Sequence, residues 1–364
     1  MKFKKTFFNK KILITGNTGF KGCWLTLWCL RLGANVIGIS KGLPSNPSLF
    51  KILNLKKKIK FYKFDITNYK KLLHIIKKEN PDYIFHLAAQ PLVLRSYKNP
   101  LETLKTNIIG TANILETLKF IKKKCVCIII TSDKCYENLE LKRGYKETDL
   151  LGGKDIYSSS KASAEIISSS YFRTFLKFKK NIRIGVARAG NVIGGGDWAE
   201  NRIIPDWYRS FTKNKTLSIR YPNSTRPWQH VLEPLSGYLT LAMNLTKKNK
   251  NNGQVFNFGP KNSQNEKVLS LINKLNKSSN LFSKIVIKIS KGKLYESGLL
   301  KLNCSKAEKL LLWKANLNLS QLINYISEWY KSYFKNKNKI FDVTMKQIKN
   351  YEKIAKSNKI FWSY

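Results

Sequence analysis

The stretch KILITGNTGFKG, residues 11–22, decides the fold. Its apolar first half is typical of a buried strand, and glycines follow at Gly16, Gly19 and Gly22. Glycine permits a tight turn, lets the backbone approach a pyrophosphate, and leaves the first N–H groups of the next helix free to bind it. The stretch therefore predicts a strand, a phosphate-binding loop and a helix, in the order that opens a Rossmann fold.

Strand and helix patterns alternate through the first half of the chain. Helices are predicted at residues 20–32, 68–78 and 100–123, each bounded by a glycine or a proline. Short apolar strands between helices indicate a parallel sheet that is covered on both faces. The fold class is therefore α/β, a doubly wound Rossmann sheet. The predicted strands are residues 11–15, 35–39, 60–64, 83–86, 125–131 and 182–188.

The texture of the sequence changes after about residue 188, where glycines and prolines interrupt shorter elements. We expect a dinucleotide-binding Rossmann domain at residues 1–188 and a smaller, partly interleaved substrate-binding region at residues 189–330. Residues 331–364 are rich in lysine and asparagine, which predicts a basic C-terminal helix or tail.

The composition is strongly basic, because 67 Lys and Arg stand against 22 Asp and Glu, a formal charge of +45. Such a field attracts nucleic acid or anionic membranes. Here the excess is mostly lysine and is scattered along the chain, so we interpret it as solvated surface and expect no nucleic acid or membrane partner. An anionic small substrate would still be drawn toward the protein.

Two further features bear on location and redox state. No stretch approaches the roughly 18 to 20 apolar residues that cross a bilayer, and we expect a cytoplasmic protein. The six cysteines have no metal-binding spacing. They are predicted to be reduced thiols, with Cys125 and Cys127 on opposite sides of one strand.

The loop predicts a nicotinamide dinucleotide, but the sequence leaves the choice between NAD and NADP open. An acidic residue about 20 positions after the loop normally binds the ribose diol of NAD. This chain has Ser40, Lys41 and Gly42 there. Without a carboxylate a 2′-phosphate is not repelled, and Lys41 would attract one.

Tyr157 and Lys161 lie four residues apart and therefore on one face of a helix. A phenol with a pKa of about 10 is a poor base at neutral pH. A neighbouring cation and the positive nicotinamide ring favour the phenolate and are expected to lower that pKa. The pair therefore predicts a proton-transfer centre beside the cofactor.

The stretch Ser132, Asp133 and Lys134 comes at the carboxyl end of the fifth predicted strand, where doubly wound folds carry their sites. A carboxyl and an amine beside a hydroxyl are the acid and base that elimination of water requires. The alternative is that Asp133 and Lys134 are an ordinary turn pair.

Six blocks of this chain resemble the CDP-glucose 4,6-dehydratase family, within the extended short-chain dehydrogenases/reductases. The resemblance covers most of the chain up to about residue 330. Other nucleotide-sugar 4,6-dehydratases typically have glutamate where this chain has Lys134, which favours the CDP-glucose branch. The blocks are residues 86–93, 95–97, 131–138, 151–161, 187–198 and 225–231.

The resemblance implies a redox-neutral dehydration of CDP-glucose to CDP-4-keto-6-deoxyglucose through transient hydride transfer to NAD. Tyr157, supported by Lys161, takes the proton of the hydroxyl on carbon 4, which Ser132 holds. Lys134 takes the proton of carbon 5, and Asp133 protonates the hydroxyl that leaves carbon 6. Lys134 is a base only when neutral, so we expect burial or a nearby cation to favour its neutral form in the substrate complex.

The resemblance also implies binding residues. Asp65 matches an adenine contact but is alternatively a helix N-cap, and Asn107 alternatively satisfies backbone groups. Arg202 and Arg226, which would bind the nucleotide diphosphate, are each alternatively a surface residue. His86 and His230 are expected to be structural. The implied cofactor contacts are Gly16, Thr18, Gly19, Phe20, Gly22, Asp65, Ile66, Ala88 and Ala89, with Tyr157 and Lys161. The implied substrate contacts are Gln90, Arg95, Asn107, Asn191, Arg202 and Arg226.

Three points stay open. The resemblance implies a homodimer or homotetramer formed through residues 100–123 and 155–178. The late block departs from the family pattern at Tyr295 and Asn303, which puts substrate contacts there in doubt. The rival functions are another nucleotide-sugar 4,6-dehydratase, a 4-epimerase, which needs no acid–base pair at Asp133 and Lys134, and a basic nucleic-acid-binding protein on the same scaffold.

Overall fold

The computed structural model describes residues 1–247, 249–261, 264–279, 285–287 and 300–364. The strands of this part are β1 (Lys11–Thr15), β2 (Asn35–Ser40), β3 (Lys60–Lys63), β4 (Tyr83–His86), β5 (Cys125–Ile130), β6 (Ile182–Arg188), β7 (Val192–Ile193), β8 (Leu217–Ile219), β9 (Thr225–Pro227), β10 (Gln229–His230), β11 (Val255–Asn257), β12 (Asn265–Lys267) and β13 (Ile285–Ile287).

The helices of the same residues pack mainly on the two faces of a central sheet. They are α1 (Lys2–Phe7), α2 (Phe20–Arg31), α3 (Leu49–Ile52), α4 (Tyr69–Glu79), α5 (Val93–Lys98), α6 (Pro100–Leu104), α7 (Gly110–Leu118), α8 (Ile156–Thr174), α9 (Ile203–Thr212), α10 (Leu232–Lys247), α11 (Val268–Ser279), α12 (Ser305–Leu311), α13 (Leu319–Lys335) and α14 (Ile340–Ser357). None of these helices is long and apolar enough to cross a membrane.

The central sheet confirms the predicted fold class. Among the described residues it has seven parallel strands in the order β11-β6-β5-β4-β1-β2-β3. The chain winds outward from β1 to β3 on one side and from β4 to β6 on the other, so the direction reverses between β1 and β4. In such sheets ligands bind outside the carboxyl ends of the strands at this reversal.

Alternation along β5 separates the two layers of the core. Val126, Ile128 and Ile130 pack in the cluster on one face, while Cys125, Cys127 and Ile129 pack in the cluster on the other. The prediction that Cys125 and Cys127 point to opposite sides is therefore wrong, because residues two apart in a strand point to the same side. All six cysteines lie in the described residues and are free thiols.

The six predicted strands are confirmed with ends that differ by at most one residue, but the long helix at residues 100–123 is not one regular α-helix. It runs as α6, a π-helical segment Lys105–Ile109 and α7, and it ends at Leu118. The π segment contains Asn107, whose side chain binds another part of the chain. Beyond α7 the backbone turns toward β5, where the Asn181 amide donates to the carbonyl groups of Ile121 and Lys123.

The chain after Arg188 returns to the sheet and adds the edge strand β11 beside β6. The C-terminal residues also lie against the first half of the chain. Glu352 of α14 accepts hydrogen bonds from Trp28 and Arg31 of α2, at 2.9 and 2.6 Å. Trp362 stacks on Phe3 with ring centroids 4.6 Å apart.

Candidate active site

A cleft of about 1500 Å³ opens at the carboxyl ends of the central strands. Its wall carries the loop after β1, the residues after β4 and β5, the start of α8, and residues from the part of the chain after Arg188. Every site residue predicted from the sequence lies on this wall, with the exception of Asn107. The fold thus brings the predicted glycine loop, acid–base residues and arginines into one space.

The glycine loop is shaped for close backbone approach. Gly16 has a φ of +73°, and a Cβ there would lie 2.7 Å from the Ala88 nitrogen. A Cβ on Gly22 would lie 2.2 Å from the Gly16 carbonyl oxygen. Gly19 is the N-cap of α2 and has no side chain to cover the first N–H groups of that helix. This cradle fits a dinucleotide pyrophosphate.

The end of β2 lacks the acidic residue that normally binds the ribose diol of NAD, and Ser40 and Lys41 occupy this position. Ser40 accepts from the Thr18 N–H at 3.3 Å. The Lys41 ammonium lies 2.8 Å from Glu102 and 3.9 Å from Asp65. The positive charge that would attract a 2′-phosphate is therefore paired with carboxylates.

Asp65 is not the N-cap of the helix that follows it. Its carboxylate accepts from the Thr67 N–H at 2.9 Å, whereas Asn68 caps α4 by accepting from Lys71. Asp65 remains on the cleft wall beside Ile66. The N-cap alternative for Asp65 is therefore wrong, and its predicted cofactor contact stays a prediction.

Tyr157 and Lys161 occupy the first turns of α8, which Asp155 caps by accepting from the Ser158 N–H at 3.0 Å. Burial raises the pKa of Tyr157 to about 12, although hydrogen bonding to Ser132 and the charge of Arg202 act to lower it. The decrease in the Tyr157 pKa that the sequence predicts is therefore smaller than the increase that burial causes. Burial also lowers the pKa of Lys161 to about 8.

A short 3-10 turn, Asp133–Cys135, follows β5, and Ser132 is its N-cap. The Ser132 hydroxyl donates to Asp133 Oδ1 at 2.8 Å. The other carboxylate oxygen packs on Gly190, where a Cβ would lie only 1.8 Å from Oδ2, and Asn191 Nδ2 lies 3.4 Å from it. A solvated turn pair would not need this enclosure, so the arrangement supports a role for Asp133 in the site.

Lys21 is a site residue that the sequence reasoning missed. It lies on the cleft wall in the first turn of α2, with Nζ 3.5 Å from the Tyr238 hydroxyl. Burial lowers its pKa to about 7, and the charges of Arg202 and Lys161 act in the same direction, against Asp133. A lysine inside an otherwise apolar helix start is the sequence signal that would have found it.

A buried ion pair lies next to the turn that follows β5. Arg188 at the end of β6 donates through Nε to Glu165 of α8 at 2.9 Å, and both side chains are 2% exposed. Glu165 also accepts from the Thr131 hydroxyl at 2.6 Å, one residue before Ser132. The pair therefore joins β5, β6 and α8 at the catalytic end of the sheet.

Asn107 does not line the cleft, and its predicted substrate contact stays a prediction. Asn107 is buried, accepts from the Gln90 N–H at 2.8 Å and donates to Ser160 at 2.8 Å. It satisfies backbone and side-chain groups within the protein, as the alternative interpretation expected. The Gln90 side chain lies on the wall but is held by Thr103 and the Leu92 backbone.

The predicted arginines Arg95, Arg202 and Arg226 lie on the cleft wall. Arg95 contacts Glu102 at 3.0 Å, and Arg202 contacts Asp197 at 2.9 Å. Arg226 lies in β9. All three line the same cleft, although the Arg95 side chain is 49% exposed, and their substrate contacts stay predictions.

The remaining predicted residues have other positions. His86 lies between Thr15 and Thr111, at 2.8 and 3.0 Å, and burial lowers its pKa to about 3. Burial does the same to His230, which packs edge-on against Trp24. Both are therefore neutral and buried. Tyr295 lies outside the described residues.

Comparisons with known proteins agree with this arrangement. A family model described as GDP-mannose 4,6 dehydratase matches residues 13–326. The CDP-glucose 4,6-dehydratase of Salmonella typhimurium is 41% identical over 332 residues, covering 90% of this chain and 92% of that protein. The UDP-glucuronic acid 4-epimerase of Bacillus cereus, solved with UDP-glucuronic acid and NAD, has a TM-score of 0.75 at 25% identity, covering 88% of this chain and 99% of that one. The dTDP-glucose 4,6-dehydratase of Bacillus anthracis, solved with NAD, has a TM-score of 0.74 at 21% identity, covering 92% and 99%.

Proposed function

We propose that this chain, which belongs to the GDP-mannose 4,6-dehydratase family of nucleotide-sugar enzymes, is a lyase that removes water from CDP-glucose. The proposed product is CDP-4-keto-6-deoxyglucose, and the reaction is redox-neutral. The substrate follows from the CDP-glucose 4,6-dehydratase of Salmonella typhimurium, to which most of the chain is similar. Lys134, where related dehydratases typically have glutamate, supports the same choice.

The observation that carries this proposal is the position of Asp133. Its carboxyl is buried, bonded to Ser132 and enclosed by Gly190, on the same cleft wall as Tyr157 and Lys134. An enzyme that only exchanges hydrogen at carbon 4 has no use for an acid there. Elimination of the hydroxyl from carbon 6 requires one.

We propose NAD as the cofactor, in line with the NAD complexes of the structurally similar enzymes. When bound, NAD supplies the capacity to take a hydride from the sugar and to give it back. The backbone of Gly16, Gly19 and Gly22 would hold its pyrophosphate. The carboxylates of Glu102 and Asp65 beside Lys41 disfavour the extra phosphate of NADP.

The protein groups then move protons. Tyr157 Oη takes the proton of the hydroxyl on carbon 4, with Lys161 and a bound cationic ring offsetting the effect of burial on its pKa. Lys134 Nζ takes the proton of carbon 5, which the ketone at carbon 4 acidifies, and returns it. Asp133 donates its proton to the hydroxyl that leaves carbon 6. Arg202 and Arg226 bind the diphosphate through their guanidinium groups.

The experiment that tests this function is incubation of the purified protein with CDP-glucose and NAD, followed by mass spectrometry of the nucleotide sugar. We expect a product lighter by the mass of one water. Tyr157→Phe is the matched control and should give no product. An isomer of unchanged mass would indicate a 4-epimerase, and turnover of dTDP-glucose without turnover of CDP-glucose would contradict the role given to Lys134.

We further propose that the enzyme acts in the cytoplasm as a homodimer or a homotetramer. Apolar side chains of the two segments expected to join the subunits, residues 100–123 and 155–178, are exposed to solvent. Leu101 is 78%, Ile109 50% and Ile166 55% exposed. Burial of these side chains against a second copy would remove them from water. The mass of the particle in solution tests this part of the proposal.

A further inference from the structure

Three buried proton-carrying groups lie in a row at the catalytic end of β5. The Ser132 hydroxyl donates to Asp133 Oδ1 at 2.8 Å. Tyr157 lies on the same cleft wall, where its interaction with Ser132 acts to lower the pKa of the phenol. Tyr157 and Ser132 are each 7% exposed and Asp133 is 4% exposed. A hydrogen-bonded chain in a buried site is polarised along its length, so a proton can pass along it without movement of heavy atoms.

The reaction proposed above, on which this inference rests, changes the protonation of the two ends of the row. Tyr157 gains the proton of the hydroxyl on carbon 4. Asp133 loses a proton to the hydroxyl that leaves as water. The proton that Lys134 takes from carbon 5 goes back to carbon 5 and therefore cancels. After one turnover Tyr157 carries a proton too many and Asp133 a proton too few.

We propose that Ser132 carries this proton from Tyr157 back to Asp133 in every turnover. The O–H bond of Tyr157 breaks as its proton moves to Ser132 Oγ, and the proton already on Ser132 moves to Asp133 Oδ1. Tyr157 is a phenolate again and Asp133 a carboxylic acid again. No electrons move in this step, and the solvent neither gives nor takes a proton. The proton from the carbon-4 hydroxyl then stays on Ser132 for one turnover and leaves in water two turnovers later.

The surroundings of Asp133 keep the carboxyl in the orientation that this transfer needs. Gly190 and Asn191 both contact Oδ2, so Oδ1 stays directed at Ser132. The Lys134 backbone N–H in turn points at Ser132 Oγ, at 3.3 Å, which limits rotation of the hydroxyl. Ser132 is therefore held between its two partners by contacts that do not involve the substrate.

The test compares Ser132→Ala with Ser132→Thr, which keeps a hydroxyl, in the NAD-loaded enzyme with CDP-glucose. Without the carrier hydroxyl, the first turnover can use the proton already on Asp133, but later turnovers wait for exchange with solvent. We expect Ser132→Ala to release a burst of at most about one product per active site, slowed by loss of the hydroxyl that holds the substrate, followed by turnover on the order of 100-fold slower than the burst. Ser132→Thr should show no such change of rate.

A second measurement separates proton return from the holding of substrate. Small weak acids and bases, such as formate and imidazole, should speed the slow phase of Ser132→Ala and leave the burst unchanged, because they exchange protons with Tyr157 and Asp133 directly. A first turnover slowed as much as the later ones, or a slow phase that formate and imidazole do not change, would overturn the proposal. If the wild type itself does not dehydrate CDP-glucose, the proposed function fails, and this failure is visible before any variant is made.

Discussion

Lys21 is an ammonium group held in a largely desolvated position at the start of α2. Burial is the main reason why its pKa falls from the ordinary 10.5 of a lysine to about 7. A lysine whose pKa is lower in the folded state makes folding less favourable wherever the unfolded chain is charged. The penalty is complete below about pH 7 and disappears as the pH rises through the unfolded pKa of about 10.5.

We predict that Lys21→Met increases the free energy of unfolding by about 2 to 4 kcal/mol at neutral pH, a range reduced because the cleft still admits water. The gain should shrink when urea unfolding is repeated at about pH 9.5. Turnover should fall about tenfold, because the charge of Lys21, which offsets the negative charge left on Asp133 when it gives up its proton, is gone. A variant that is less stable than the wild type at neutral pH would contradict this account of Lys21.

The sequence predicted those site residues whose role depends on local spacing. The glycine loop, the Tyr157 and Lys161 pair and the turn that follows β5 are all set by residues within a few positions of each other. Lys21 and Asn107 depend on the tertiary structure instead. Whether Lys21 reaches the cleft, and whether Asn107 faces the cleft or Gln90, depends on contacts between segments that are distant in sequence.

At the scale of elements, the sequence likewise predicts only those strands and helices whose pattern can be read from neighbouring residues. Apolar runs such as β4 and β5 are long enough to show their burial in the sequence. The three-residue β11 is too short for any periodicity and forms because β6 offers an open edge. The π-helical segment Lys105–Ile109 likewise has no local signal, and its Asn107 side chain bonds to Gln90 and Ser160 in other segments.

The buried ion pair between Glu165 of α8 and Arg188 of β6 joins these elements beside the turn that follows β5. We predict that Glu165→Gln lowers the free energy of unfolding by about 3 to 5 kcal/mol, because Arg188 is left charged and buried without its partner. The matched control is Glu328→Gln, in the exposed pair with Lys346. That change should cost less than about 1 kcal/mol. Equal losses for the two variants in urea unfolding would show that burial of the first pair has no special weight.

At the scale of the whole molecule, the charge of +45 affects how often the anionic substrate meets the cleft. The basic residues are spread over the chain and the cleft adds Arg95, Arg202 and Arg226. A field of this sign raises the rate at which an anionic nucleotide sugar meets the cleft, and salt screens it over about 8 Å at physiological ionic strength. The scattered lysines are thus compatible with catalysis without any nucleic acid partner.

We predict that kcat/KM for CDP-glucose falls by on the order of tenfold when the ionic strength is raised from about 0.05 M to about 0.5 M. The turnover number at saturating substrate should change far less, because the bound substrate lies in the cleft and its arginine contacts are partly shielded from salt. A neutral solute at equal osmolality is the control for effects of crowding and viscosity. A kcat/KM that is independent of salt in the wild type would show that the basic surface plays no part in substrate capture.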